Sequence, residues 1–221
     1  MAKIERISLE RKRELEEPDK FMVFVAKIMQ FGQTHKQQIS IALSIAVAVA
    51  VVTAGVFYAS ARAEVKASDM LARVVVPKGS SNAPVDAYKA VYEKFPRTIS
   101  GKLAGLRYAD HVRLSGDAAA AIEIYKKLVK GLADRPTFHH LALIGLGHAY
   151  ETAGDDKAAA GCFEKVMAGP STGQMETALF NLARIYDRMG QTEKSRKLFA
   201  RIVSEYPESM YADIAREKSD S

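Results

Sequence analysis

The chain has 221 residues, 26% charged and 48% hydrophobic, with a formal charge of +6 and both signs interleaved along most of its length. This composition fits one globular domain plus an accessory segment and excludes a disordered chain. A single cysteine, Cys162, excludes an intramolecular disulfide framework, and a mild positive excess without clustering excludes a nucleic-acid footprint.

Residues 1–17, MAKIERISLERKRELEE, read as a solvated, charged tail, since Arg11-Lys12-Arg13 is followed at once by Glu14, Glu16 and Glu17. Residues 18–31 read as an amphipathic helix. Pro18 suits its first turn, Asp19 its positive end and Gly32 its exit. Phe21, Phe24, Val25 and Ile28 recur at helical spacing, and Lys20, Lys27 and Gln30 fall largely opposite. Such a helix just before an apolar segment is expected to lie in the membrane interface; its apolar face would also serve docking on a partner.

The next stretch, Ile39 to Ala59, has 21 residues and no charge. As a helix it would be about 31 Å long, close to the ~30 Å bilayer core, and Tyr58 falls near its end where interfacial aromatics belong. It is read as a transmembrane helix in contact with membrane lipid. A secretory signal has an apolar core of about 7–15 residues near the start of the chain, so Ala59-Ser60-Ala61 is not taken as a cleavage site. Flanking basic residues (Lys20, Lys27 and Lys36 before, Arg62, Lys66, Arg73 and Lys78 after) show no bias that sets orientation.

Ser60–Val76 contains no helix breaker and is expected to carry the helix onward. Pro77-Lys78-Gly79-Ser80-Ser81-Asn82 then forms a linker, with Pro84 opening the next helix. The expected organisation is thus a head (1–38), a span (39–59), a juxtamembrane helix and linker (60–82) and a helical domain (83–221).

Within that domain no stretch shows sustained alternation, so the fold class is all-α. Aligning Gly116, Gly154 and Gly190 exposes a repeat. Seven residues before each glycine lies a small residue (Ala109, Gly147, Ala183), five after lies Ala121, Ala159 or Ser195, and nine after lies Tyr125, Phe163 or Phe199. Small residues let paired helices approach, aromatics fill the wedge between them, and each glycine turns the chain. The pattern matches the tetratricopeptide signature, most clearly in Leu146-Gly147-His148-Ala149-Tyr150 and Leu182-Ala183-Arg184-Ile185-Tyr186. Three units are expected as an α-solenoid. Tyr88 and Pro96 mark a degenerate earlier unit whose partner helix would be Arg62–Val76, and Ser209–Ala215 would form a cap with Tyr211, Ile214 and Ala215 facing the stack.

No catalytic constellation emerges. His35, His111, His139, His140 and His148 contain no i,i+4 pair, Gly145 and Gly147 sit inside a helix rather than in a phosphate-binding turn, and Cys162 reads as a small core residue. Asp155-Asp156 reads as solvated charge. The chain is therefore expected to be no enzyme and to hold no metal or cofactor.

What remains is a binding groove lined by the first helix of each unit. Helical spacing places Leu103, Leu106, Asp110 and Arg113 there from the first unit, Ile144, His148 and Glu151 from the second, and Phe180, Asn181, Arg184 and Asp187 from the third. Such a surface suits an amphipathic peptide or a protein partner. A homo-oligomer is compatible with it.

The layout of charged head, apolar segment and repeats, with Phe95-Pro96-Arg97-Thr98 and Glu205-Tyr206-Pro207-Glu208-Ser209-Met210-Tyr211-Ala212, resembles bacterial envelope proteins with tetratricopeptide-like domains. It is most similar to the ancillary Sec translocon subunit (YfgM-like) family. The resemblance implies a single-pass inner-membrane protein with its head in the cytoplasm and its repeats in the periplasm. It also implies a scaffold for envelope or secreted proteins, with the Sec translocon as one partner. The alternative from another class is an assembly factor of an envelope or cell-division complex, acting through the anchor and the head helix.

Overall fold

A computed structural model describes residues 20–74 and 85–220, and among these residues the regular structure is ten helices and no strand. The charged tail 1–17, Pro18 and Asp19, the Pro77–Asn82 linker and Pro84 lie outside the described residues. The chain divides into two compact units, one ending at Ala59 and the other beginning at Ser60.

The first unit holds α1 (Lys20–Thr34) and the greater part of α2 (Lys36–Ala72). Phe21, Phe24 and Ile28 are 67%, 61% and 55% exposed, and only Val25 is half-buried. The expected exit at Gly32 is corrected. Helix α1 runs on to Thr34, and the backbone ladder crosses the junction, with His35 N donating to Phe31 O at 3.0 Å and Ile39 N to His35 O at 2.9 Å. A mid-helix glycine costs only about 1 kcal/mol, and Gly32 does not take the left-handed conformation of a terminating glycine. Helix α2 is the one described helix long and apolar enough to cross a membrane, and the most apolar part of it has no buried residue.

The second unit opens with the end of α2, which stops at Ala72 and not at Val76. It continues through α3 (Val85–Lys94), α4 (Ile99–Leu114), α5 (Ala118–Gly131), α6 (Pro136–Thr152), α7 (Asp156–Ala168), α8 (Met175–Arg188), α9 (Thr192–Glu205) and α10 (Ala212–Asp220). From α3 onward each helix packs on the next, and α4 also touches α6, which is the sequential stacking of a solenoid.

The repeat pattern explains the packing residue by residue. Tyr125, Phe163 and Phe199 are all essentially fully buried, as are the small residues Ala109, Ala183, Ala121 and Ala159 that frame them. A Cβ placed on Gly147 would come 2.6 Å from Phe163 Cζ, so only glycine admits the ring at that crossing. Where the third unit has Ser195 in place of alanine, its buried hydroxyl is satisfied by donating to Ala183 O at 2.9 Å. Gly116, Gly154 and Gly190 adopt φ of 95°, 78° and 72°, the left-handed turn between paired helices. Asp117 and Asp155 cap the helices that follow, accepting from Ala120 N and Ala158 N at 2.9 Å each.

The upstream unit differs from the sequence expectation. Residues 60–72 do not pair along α3 as the other hairpins pair; their anchorage is the N-terminus of α4. Glu64 accepts from Ile99 N at 2.7 Å, Ser100 N at 2.9 Å and Ser100 Oγ at 2.6 Å, while Thr98 Oγ1 accepts from Gly101 N at 3.0 Å. Orphan amides at a helix start attract a carboxylate, and this attraction overrides the spacing argument. Ala67, fully buried, and Leu71, half-buried, follow Glu64 on the same helix face.

Burial alone would raise the Glu64 pKa, but the Ser100 hydroxyl, the Ser100 and Ile99 amides and the Lys102 charge hold it below its ordinary value. A lowered folded-state value means that the stabilisation is present above the ordinary carboxylate range and is lost as pH falls through the lowered value. Glu64→Ala is expected to cost about 1–3 kcal/mol at neutral pH, several degrees in Tm, with the gap to the parent closing as the medium is acidified through the lowered carboxylate value. Melting curves across pH check this; a pH-independent gap would mean that the carboxylate is not what holds the segment.

At the other end, α10 covers the third unit with Ala212 and Ala215, both buried, and Tyr211 just before it stacks on Phe180 at 4.1 Å between ring centres. Ile214, expected on the covered face, is 50% exposed, because the helix begins at Ala212 and carries it outward.

Candidate functional site

Helices α4 and α6 stand side by side, and the face they share carries two adjoining cavities. The first has a volume of about 560 Å³ and is walled mainly by apolar side chains: Leu71, Tyr88, Leu103, Leu106, Phe138, Leu141 and Ile144. Arg107, Asp110 and His148 supply its polar groups. Leu71 comes from the segment that Glu64 pins, so the docking of residues 60–72 completes this wall.

At the floor, Tyr125 stands where the other units have phenylalanine. Its hydroxyl donates to Asp110 Oδ1 at 2.6 Å. Burial, with the Asp110 charge and hydrogen bond, pushes the phenol well above its ordinary pKa, so it stays a neutral donor.

The second cavity, about 580 Å³, is polar and includes Arg113, His148, Glu151, Asp156, Arg184 and Arg188 in its walls. His148 borders both cavities, and its ring meets Phe163 edge-on at 5.5 Å. Glu151 is the hub, with its side chain 13% exposed. His148 Nδ1 lies 2.9 Å from Oε2, Arg188 Nη2 donates to Oε1 at 3.0 Å, and Arg184 Nη2 stands 3.6 Å from the same oxygen. Burial would raise the Glu151 pKa, yet the hydrogen bonds from His148 and Arg188 and the charges of His148 and Arg184 hold it below the usual carboxylate value. Arg188 also grips Asp156 in a fork, Nε to Oδ2 at 2.9 Å and Nη2 to Oδ1 at 2.6 Å, which lowers the Asp156 pKa.

Of the eleven groove residues expected from spacing, Leu103, Leu106, Asp110, Ile144 and His148 line the apolar cavity, and Arg113, Glu151 and Arg184 line the polar one with His148. The remaining three lie elsewhere. Phe180 stacks under Tyr211, Asp187 receives Lys218 Nζ at 3.4 Å, and Asn181 is buried, holding Thr177 O and Arg184 Nη1. Tyr211 and α10 thus cover Phe180 and Asp187, while Arg184 keeps the third unit's place in the polar cavity.

Spacing missed Arg107, Leu141 and Phe138, which sit on the helices already assigned, one helical turn or two from Leu103 and Ile144. It also missed Arg188, one turn beyond Arg184, and Asp156, read as solvated charge but bound in the arginine fork. Tyr88 and Leu71 carried no local signal, since they reach the cleft only through the docking of other elements.

Other candidate chemistry resolves into structure. Cys162 is buried in the core and burial pushes its thiol up to about 11, which leaves it protonated. His140, also buried, meets Thr172 Oγ1 at 2.8 Å and fastens the loop after α7; burial and the neighbouring His139 lower its pKa. Among the described residues no group of three His, Cys, Asp or Glu has metal-binding geometry.

Residues 142–173 and 177–209 each match a model of the tetratricopeptide repeat. These stretches fall on α6–α7 and α8–α9, so the chain carries tetratricopeptide repeats, a module that serves protein–protein interaction. No curated protein matches the chain. Among solved structures, the MamA protein is 21% identical with a TM-score of 0.52, covering 72% of this chain and 84% of its own. A Podosopora anserina structure, described as a kinesin light chain with nearly identical TPR-like repeats, is 16% identical with a TM-score of 0.50. It covers 61% of this chain and 74% of its own. At these identities the likeness concerns the fold.

Proposed function

We propose that this chain is a membrane-anchored, non-catalytic protein-interaction scaffold whose groove on α4 and α6 holds a segment of a partner protein. The observation that carries the reading is the adjacency of an apolar and a polar cavity joined at His148 on one face of the repeats. An apolar cleft of that size takes two or three bulky side chains of a peptide, and the neighbouring arginines supply direction. Residues 39–59 of α2 would span the bilayer in contact with lipid, the expected domain limits following from that.

The finer placement rests on the layout of the sequence and on the Tyr206-Pro207-Glu208-Ser209-Met210-Tyr211-Ala212 ending. It puts the chain in a bacterial inner membrane, with the head cytoplasmic, the repeats periplasmic and the partners among envelope or secreted proteins, the Sec translocon included. A second reading, an assembly factor acting through α1 and the anchor, is favoured by the exposure of Phe21, Phe24 and Ile28.

Site-specific photocrosslinking in native membranes separates the two. A crosslinker at Phe138 or Leu141 is expected to yield partner adducts that persist when residues 1–38 are deleted. A crosslinker at the exposed Lys157 or Lys197, on the second helices of their units, should yield none. Adducts of equal strength from all four positions would sink the groove reading, and adducts lost with the head would favour the assembly role.

A further inference from the structure

The polar end of the groove holds cationic capacity that the chain's own carboxylates do not use. Arg188 is saturated by Asp156 and Glu151. Arg113 and Arg184 are not. The nearest carboxylate oxygen to Arg113 is Asp110 Oδ1 at 3.9 Å, beyond a hydrogen bond, and Asp110 is already committed to the Tyr125 hydroxyl. The Arg113 Nε is buried and has no hydrogen-bond partner.

Arg184 donates Nη1 to Asn181 Oδ1 at 2.9 Å, and its Nη2 stays 3.6 Å from a Glu151 that His148 and Arg188 already meet at hydrogen-bond distance. At the apolar end, Arg107 makes no ion pair among the described residues. Four arginines (Arg107, Arg113, Arg184 and Arg188) line the two cavities against three carboxylates (Asp110, Glu151 and Asp156), so the groove carries a formal surplus of one positive charge.

Resting on the groove reading above, we propose that the ligand is a peptide segment with apolar and acidic residues in a fixed relation. Its bulky side chains fill the cleft of Leu103, Leu106, Leu141 and Ile144, and its carboxylate lies on Arg113 and Arg184. The spacing follows from α6. Leu141 and Glu151 are ten residues apart, which is about 15 Å of helical rise. An extended peptide advances about 3.3–3.6 Å per residue, so four to five positions separate its apolar anchor from its acidic residue. Guanidinium groups favour a planar carboxylate in two-point contact, which the loose Arg113–Asp110 pair leaves available. Nucleic acid fits poorly, since its repeated phosphates would find a surplus of one positive charge beside a wall of apolar side chains.

The test is selection of a displayed random dodecapeptide library on the full chain in phosphatidylcholine nanodiscs, in parallel with an R113Q/R184Q variant. The wild type is expected to enrich peptides pairing a bulky apolar residue with Asp or Glu four to five positions away; the variant should keep the apolar preference and lose the acidic one. For a selected, fluorescein-labelled peptide, exchanging its acidic residue for the amide should weaken binding about tenfold or more to wild type, read by anisotropy. The same exchange should change nothing on the variant.

An R113K/R184K variant, checked with the first by far-UV circular dichroism, should keep an acidic preference weaker than that of the wild type, since lysine keeps the charge and loses the two-point contact; loss as complete as in R113Q/R184Q would overturn the part played by charge. Enrichment of apolar residues without acid overturns this inference and leaves the groove reading standing. Absence of any enriched peptide, or binding unmoved by Phe138→Glu and Leu141→Glu, overturns both.

Discussion

Phe163→Ala is expected to destabilise the repeat unit by about 3–5 kcal/mol. The ring has no exposed surface, sits in the core that joins the second and third units, and lies so close to Gly147 that no other residue fits opposite it. Removing it empties a space that the flanking helices cannot collapse into, because the same ring also supports His148 edge-on. The cost falls on the middle of a stack in which each helix depends on its neighbours, so the unfolding transition is expected to broaden as well as shift. The chain has no tryptophan, so urea titration followed by circular dichroism at 222 nm is the suitable measurement. A loss under about 1 kcal/mol would show that the aromatic wedge is not what joins the two units.

The second large effect is expected in the apolar segment. Ten of its 21 residues are Ile, Leu, Val or Phe, worth about 0.3–0.6 kcal/mol each towards insertion, so these ten side chains contribute about 3–6 kcal/mol in favour of a bilayer. Val49→Arg with Val52→Arg places two charges at its centre, at about 2.5–3.5 kcal/mol apiece, which cancels that preference. The doubly substituted chain is expected in the supernatant after alkaline carbonate extraction, and the wild type and a Val49→Leu/Val52→Leu control in the membrane pellet. Extraction of the wild type would remove the anchor from the proposed function.

Much of the site is built from residues that spacing alone brings to one face, since residues three or four positions apart on one helix present the same side. Leu103, Leu106 and Asp110 belong together for that reason, as do Ile144, His148 and Glu151. Spacing has no means of knowing what else will cover a face. Phe180 and Asp187 satisfy the same periodicity, but Tyr211, just before α10, and Lys218 in α10 reach them first. Pairwise electrostatics were equally out of reach: Asp156 and Arg188, 32 positions apart, find each other only when α7 and α8 pack.

The sequence by itself determined the helices, the three glycine turns, the aromatic wedges and the one helix with the length and composition to cross a bilayer. Each of these follows from local geometry or from side-chain volume repeated at a fixed period. The tertiary structure alone decided how residues 60–72 attach. No period predicts that Glu64 will leave the expected pairing with α3 and satisfy the free amides of α4, or that Leu71 will thereby complete the wall of a binding cleft. That choice is made by unsatisfied backbone donors some 35 positions away in the chain, a demand that exists only once the helix they begin has formed.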